Sequence, residues 1–241
     1  MRQERHFLDN GQGVPVISYV RGERDGRPWA HKIEVLGPRP TETVAAKMRG
    51  WYVTASEEFG AELMTRGARL IRHAHVISCD LSGAAALPSA PAPEGFRFVP
   101  CDRAPEEVLP AWRNAFPPGH PDHSPHTDEE VLRDEVAPLL RGELIGPVLP
   151  CSSLAVDMTD RVVAGVVVND WDGLPWIANA FRHPSGTPRG LGLTLLRHVI
   201  RQAVADGLDV LTAVVSHANP ARHIWKRIGF RTGETSMTVL L

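Results

Sequence analysis

The chain has 241 residues, of which 43% are apolar and 22% charged, with a formal net charge of -2. That apolar share supports a buried core rather than a disordered chain, and the near-neutral balance argues against a general nucleic-acid binder, which carries a strong basic excess. No apolar run reaches the ~20 residues of a membrane span. The charged stretch Met1 to Asn10 lacks the apolar centre of a secretory signal. Cys79, Cys101 and Cys151 are odd in number and far apart, which speaks against a disulfide framework or a zinc ribbon. A reducing cytoplasm is the expected setting, without nucleic-acid or membrane partners.

In chain order, the first readable elements are a short helix over 44–48, a strand over 51–54 and a helix over 57–66 that stops at Gly67. Two closing strands over 68–73 and 76–81 follow. The stretch S-G-A-A-A-L-P-S-A-P-A-P-E-G then holds small residues and prolines without periodicity, the composition of an extended linker. It divides the chain into an N-terminal part, 1–81, a linker, 82–94, and a C-terminal domain, 95–241.

The C-terminal part opens with a strand over 96–100 and a helix over 106–116. Pro117 to Pro125 reads as a breaker-rich loop. Thr127 followed by Glu130 has the spacing of a capping box, starting a helix that extends through Leu140. Two β-branched runs, 153–157 and 161–168, form a hairpin. A strand over 176–182 leads to an amphipathic helix over 191–206, whose buried face is Leu195, Leu196, Val199, Ile200 and Ala203. Val210 to Val215 is a buried strand, 220–228 a short helix stopped by Gly229, and the chain closes with strands near 230–231 and 237–241. The fold class is α/β with a mixed sheet, preceded by a smaller α/β half-domain. Superposing Gly67 on Gly229 matches the preceding helices and following strands, so the N-terminal part reads as a worn half-copy of the C-terminal one.

The chemistry concentrates at F-R-H-P-S-G-T-P followed by R-G-L-G-L-T, Arg189 to Thr194, between a strand and a helix. Glycines there let the backbone approach a ligand, and the first N–H groups of a helix lack internal partners. With the helix dipole they make an anion site suited to a diphosphate. The spacing is neither the dinucleotide nor the P-loop fingerprint.

R-x-x-G-x-(G/A) in this position resembles the acyl-CoA motif of the GCN5-related N-acetyltransferase (GNAT) superfamily, with Thr194 in place of the usual small residue. N-P-A-R-H-I-W-K-R-I-G-F, Asn219 to Phe230, resembles the second signature of that family. The resemblance spans about Gly95 to Leu241 and includes the order of elements. It implies acetyl-CoA as co-substrate, with the diphosphate on the amides of Leu191, Gly192, Leu193 and Thr194 and the loop shaped by Arg189 and Gly190. It further implies backbone pairing of Phe181 and His183 with the pantetheine arm, Asn219 and Arg222 flanking that arm, and an oxyanion donor on the Ala180 to Arg182 stretch where the strand splays from its neighbour.

Two positions depart from the family pattern. Trp225 stands where a Tyr usually protonates the leaving thiolate, and the site of a base glutamate falls near Trp176. Asp170, Asp172 and His217 are the nearby candidate bases, Asp170 and His217 being the catalytic residues expected. The loop residues His120, Asp122, His123 and His126 allow three readings: metal ligands, an acceptor lid, or a solvated loop. The lid is favoured, and no metal is expected. The favoured function is acetyl transfer to a primary amine, on a small molecule or a peptide, by direct attack in a ternary complex. Alternatives are a catalytically silent CoA-binding or scaffold protein and transfer of another acyl group. The N-terminal half-copy reads G-P-R-P-T at Gly37 to Thr41 in place of the glycine loop, so it is expected to bind no CoA and to pack on the main domain or on a second subunit, as in a homodimer.

Overall fold

The structure is a computed structural model in which residues 4–82 and 91–241 are described, so residues 83–90 of the expected linker lie outside the described residues. The chain divides into two units, Met1–His75 with Gly233–Leu241, and Val76–Thr232. The final strand residues thus group with the N-terminal part.

In the first unit, β1 (Arg5–Asp9), β2 (Pro15–Arg24) and β3 (Arg27–Val35) form an antiparallel meander. These strands carried no sequence expectation. A signal was present at Asp25-Gly26, a two-residue turn with φ of 50 and 68, the pair favoured in tight hairpins because both positions need the left-handed region. After α1 (Pro40–Lys47), β4 (Tyr52–Ser56) pairs in parallel with β3, with Trp29 opposite Tyr52. Helix α2 (Glu57–Thr65) is capped by Ser56, whose side chain accepts from Phe59 N–H. The last strand of the chain, β11 (Arg231–Leu240), runs antiparallel to β4, with Val239 opposite Val53. Trp29 Nε1 donates to Thr54 Oγ1 at 2.8 Å and the Thr54 and Thr238 hydroxyls share a 2.7 Å hydrogen bond, tying three strands together. The core beneath holds Val44, Met48, Val53, Phe59, Leu63 and Val239.

The expected pair of strands over 68–73 and 76–81 is one strand, β5 (Arg69–Asp80), because no turn residue interrupts it. The two expected closing strands likewise merge into β11: Gly233, the one breaker between them, has no left-handed φ and stays extended.

In the second unit, β6 (Phe96–Pro100), β7 (Ser153–Asp157), β8 (Val162–Trp171) and β9 (Leu174–Arg182) follow one another antiparallel, with Val99 opposite Leu154, Leu154 opposite Gly165 and Gly165 opposite Phe181. Helices cover both faces. One face carries α3 (Pro105–Ala115), which buries Val108, Ala111 and Trp112. A helical run joins it, α4 (Asp128–Val131), a π-turn over Leu132–Val136 and α5 (Ala137–Leu140). The widened turn has a local cause. Pro138 has no N–H and its ring crowds the carbonyl four residues back, and Ala137 N–H reaches to Leu132 O, five residues back. The expected capping box at Thr127 and Glu130 is present. The other face carries α6 (Leu191–Ala205), which buries Leu191, Leu195, Leu196, Val199, Ile200 and Ala203. β10 (Val210–Ser216) pairs in parallel with β9, and α7 (Arg222–Arg227) follows.

The two helix-to-strand joints superposed in the sequence close alike: Ala68 N–H bonds Leu63 O and Phe230 N–H bonds Trp225 O, both at 3.1 Å. Leu208 N–H closes α6 on Ala203 O in the same way at 2.9 Å, so this closure is not peculiar to the two superposed joints. Among the described residues, no helix is long and apolar enough to cross a membrane.

Candidate active site

β9 and β10 pair only where Trp176 meets Thr212 and Ile177 meets Ala213. Beyond those positions the two strands, still parallel in direction, are no longer paired. At the same point β9 bulges: Val167 faces Asn179 and Val168 faces Ile177, leaving Ala178 as the extra residue. A bulge bends its strand and re-aims the backbone groups that follow.

Antiparallel pairing decides which groups face the open side. His183 N–H donates to Val163 O at 2.8 Å, so 163 and 183 stand at a hydrogen-bonded position of the ladder. Alternation then directs the backbones of Phe181 and Asn179 to β8, and those of Ala180 and Arg182 away from it. This corrects the expectation for Phe181 and His183. The backbone of Phe181 faces β8 and the His183 N–H is taken by it, the His183 carbonyl accepts from Arg182 Nη1 and the Thr187 hydroxyl, and the side chain of Phe181 is buried against Trp112, with ring centroids 5.5 Å apart. The Ala180 to Arg182 stretch keeps the free donors.

The loop from His183 leads to α6 through Gly190, whose φ of 93 is a left-handed conformation that a glycine adopts without steric cost. No side chain caps the helix. Leu191 N–H turns back to Pro188 O at 3.3 Å and Thr194 N–H closes the first turn on Gly190 O at 2.9 Å. Among the described residues, no protein acceptor meets the N–H groups of Gly192 and Leu193. Of the four amides expected at this site, two are therefore open. The Thr194 hydroxyl donates to Gly190 O at 3.2 Å and so supports the turn from within. Gly192 needs no left-handed φ, and a Cβ there would make ordinary contact, 3.7 Å from Arg182 Cδ. Nothing in the protein demands its missing side chain. Arg189 is exposed at the mouth of this turn.

The remaining candidates separate. Asp170 lies opposite Pro175, at the closed end of the β9–β10 pair, and its Oδ1 accepts Gly173 N–H at 2.7 Å. Five residues of strand from Pro175 to Ala180 span ~16 Å at ~3.3 Å each, so Asp170 forms the hairpin turn and does not reach the open side. Asp172 sits in the same turn with φ of 51. His217 directly follows β10 at its open end and is exposed. Trp225 is buried and meets Phe230 edge-on, with centroids 4.8 Å apart, so its ring fills core rather than the cleft. Arg222 begins α7, with its N–H on Asn219 O at 3.2 Å.

Asn219 is buried and fully used. Its Oδ1 accepts Ala221 N–H at 2.8 Å and its Nδ2 donates to Asp122 Oδ2 at 2.7 Å. The Ser216 hydroxyl, at the end of β10, donates to the other Asp122 oxygen. The histidine-rich loop is thus tied to the open end of β10, a contact across some ninety residues that no local pattern announces. His120 Nδ1 accepts Asp122 N–H at 3.1 Å, His123 Nδ1 meets Phe116 O at 2.8 Å, and Arg113 bonds the carbonyls of Ser124 and His126, each at 3.0 Å. Nδ1 of His120, Nδ1 of His123 and both Asp122 oxygens are thus turned to protein partners.

Three cysteines are free. Burial pushes the Cys101 thiol up to about 12 and the Cys151 thiol up to about 11, and raises that of Cys79. None is a thiolate near neutral pH.

A family model described as FR47-like protein matches residues 176–239, the segment that holds most of β9, all of α6, β10 and α7, and most of β11. Among solved structures, a GCN5-related N-acetyltransferase from Sphaerobacter thermophilus is 18% identical, with 98% of this chain and 80% of that chain covered and a TM-score of 0.65. The chain carries the GNAT fold. A tandem GNAT protein from the clavulanic acid biosynthesis pathway is 14% identical over 95% of this chain and 80% of that chain, with a TM-score of 0.61. A GCN5-related N-acetyltransferase from Kribbella flavida is 18% identical over 93% of this chain and 86% of that chain, with a TM-score of 0.55. Among curated proteins, none matches the chain.

Proposed function

We propose that this protein is an N-acetyltransferase that moves an acetyl group from acetyl-CoA to a primary amine, on a small molecule or a peptide, by direct attack in a ternary complex. The observation that carries this reading is a single continuous stretch. β9 parts from β10 after Ile177, and the same strand leads to α6, which has no side-chain cap and whose Gly192 and Leu193 amides meet no acceptor among the described residues. An extended, diphosphate-bearing thioester fits those features: amides for the phosphates and a free strand edge at Ala180 and Arg182 for the amide-rich arm.

Acetyl-CoA supplies the electrophilic carbonyl carbon and the thiolate leaving group. The chain supplies position and polarity. A backbone N–H at Ala180 or Arg182, facing the open side, stabilises charge on the thioester oxygen. The amine nitrogen forms the new C–N bond, the C–S bond breaks, and the extra proton of the nitrogen leaves with the departing thiol or to water. With Asp170 at the closed end and Trp225 in the core, proton transfer rests on His217 or solvent, and a neutral amine held in place needs no further base. The buried, protonated thiols leave no ready nucleophile for an acyl-cysteine route, which favours direct transfer. Free cysteines suit a cytoplasmic setting. The N-terminal part, 1–81, is read as a degenerate GNAT-like half-domain that binds no CoA.

The test is thiol release from acetyl-CoA over a panel of amines, with the product mass determined, beside calorimetry with CoA. An acetylated amine carries the reading. Tight CoA binding with no amine acylated favours a silent CoA-binding protein, the reading that Trp225 and Asp170 motivate. A product of different mass identifies another acyl group. No heat with CoA from folded protein ends the assignment.

A further inference from the structure

Where β9 and β10 part, after Ile177 and Ala213, a polar side chain stands just beyond on each bank of the gap. Asn179 lies two residues past Ile177. It faces Val167 of β8, whose side chain packs in the core under α3, and residues opposed across a ladder share a face. Its Oδ1 is buried and has no hydrogen-bond partner among the described residues. Ser216 lies three residues past Ala213. Val215 packs in the core with α6, so alternation turns Ser216 to the α3 face as well. There its hydroxyl donates to Asp122 Oδ1, while Asn219 Nδ2 holds the other carboxylate oxygen at 2.7 Å. A buried carbonyl oxygen without a donor is costly to keep, so Asn179 is suited to a ligand that brings an N–H. A hydroxyl that donates to a carboxylate keeps its lone pairs for another donor. With Asn219 orienting the carboxylate, Ser216 and Asp122 have the arrangement in which a base acts through a hydroxyl. Among the described residues no arginine or lysine pairs with Asp122, and His120 Nδ1 stands 3.9 Å from its Oδ2.

We propose that Asn179, Ser216 and Asp122 form the acceptor end of the site: Asn179 Oδ1 holds the amine, and Ser216 passes its proton to Asp122. This rests on the transferase reading above, and it adds to the proton routes named there one that joins residues some ninety positions apart. The amine nitrogen becomes acidic once its bond to the acetyl carbon has formed. Its extra proton moves to Ser216 Oγ as the Ser216 proton moves to Asp122, and the C–S bond breaks. The departing thiolate takes a proton from water, and Asp122, 29% exposed, returns one to water. The site needs two N–H groups on the acceptor, one for Asn179 and one for Ser216. A primary amine brings both, and a secondary amine lacks one.

The experiment is acetyl transfer by the full chain to ethylamine, to the fastest amine of the panel and to the N-methyl form of each, beside CoA calorimetry and thermal unfolding. Asp122→Asn keeps the shape of the loop contact but takes no proton. Its kcat is expected to fall about 100- to 1,000-fold with CoA affinity unchanged, and the acid limb of the kcat profile against pH should vanish. The other titratable or charged groups on the elements around Asp122 are His120 and His123 on its own loop, His217 after β10, Arg222 and His223 of α7, and Arg113 of α3, which is paired with Asp128. An acid limb that persists in Asp122→Asn belongs to one of those histidines and overturns the proposal. Ser216→Ala loses kcat in the same sense, and Ser216→Thr, which keeps the hydroxyl, restores it. Asn179→Ala raises the amine KM about tenfold and narrows the preference for the primary amine. Its melting temperature holds or rises, because the oxygen removed has no partner in the fold. Unchanged kcat in Asp122→Asn, or kcat and CoA affinity falling together as a purely structural latch would make them, overturns the proposal. So does Asn179→Ala with a lower melting temperature and an unchanged amine KM. No acylation of any amine by the wild type removes the transferase reading and this proposal together, whereas an active wild type with indifferent variants removes the proposal alone.

Discussion

Helices α1 and α6 begin in the same way and face opposite electrostatic surroundings. Both follow a residue in the left-handed region, Arg39 at φ 51 and Gly190 at φ 93, and neither has a side-chain cap. Yet α1 starts with Pro40, which has no N–H, and carries Glu42 in its first turn. Its buried Thr41 donates to Glu62 Oε1 at 2.5 Å, a contact that, with Arg66, holds the Glu62 carboxyl below its ordinary pKa. The chain's own carboxylates answer the positive end of α1. At α6 the first turn has no acidic residue, and two open amides stand beside Arg182 and Arg189. The macrodipole is the same in kind at both ends. What makes one end an anion site is which residues occupy the first turn and whether a protein carboxylate already serves it.

The comparison is broken most directly at Gly192. Gly192→Ala adds a methyl group that the protein tolerates and a closely held phosphate does not. CoA affinity is expected to fall about 10- to 100-fold, while thermal stability holds or rises, since alanine favours a helix over glycine by ~1 kcal/mol. Calorimetry and thermal unfolding of one sample read both, and a stable variant with unchanged CoA affinity would place the ligand elsewhere.

The second effect belongs to the first unit. A Cβ on Gly60 of α2 would stand 2.6 Å from Met237 Cβ. Gly60→Ala is expected to cost about 1–3 kcal/mol by overpacking, read as a lower denaturation midpoint, with CoA affinity of the folded protein unchanged.

A smaller effect depends on pH. Hydrogen bonds, first that from the Thr159 hydroxyl, then the backbone N–H groups of Arg161 and Thr159, hold the Asp157 pKa down at about 2. A depressed folded pKa contributes stability that is complete above the unfolded value near 3.8 and is lost as pH falls through about 2. Asp157→Asn should therefore unfold earlier than wild type at pH 7, by a small margin at this surface position, and the gap should close on acidification from about pH 4 to 2. Unfolding midpoints across that range check it.

The smallest expected effect is none. Pro40→Ala restores the missing amide of α1 but leaves Glu42 and Glu62 in place, so calorimetry should still show one CoA per chain. A second binding event would mean that the donor count, not the charge, separates the two helices.

Much of the second unit was legible along the chain. Gly190 and Gly192 before an amphipathic run, the Thr127–Glu130 box, and the glycine closing α7 are local codes, because helix ends are settled by residues three to five apart. The first unit was harder to read. β2 is not legible from alternation because Val16 to Val20 is buried without a break, β1 and β3 are largely exposed or half-buried and carry no clear pattern, and only Asp25-Gly26 marks the hairpin.

What the sequence by itself determined is the class of the fold and the place where a helix begins with open donors, since both depend on short-range periodicity and on backbone conformations that only certain residues adopt. Tertiary structure decided the rest. It turned the backbone of Phe181 and the N–H of His183 to β8 and left the backbones of Ala180 and Arg182 facing away from it, put Asp170 at the closed end and Trp225 in the core, and joined Asp122 to Ser216 and Asn219. Each of those outcomes depends on strand register and on contacts between residues far apart in the chain, and neither is encoded in any local spacing.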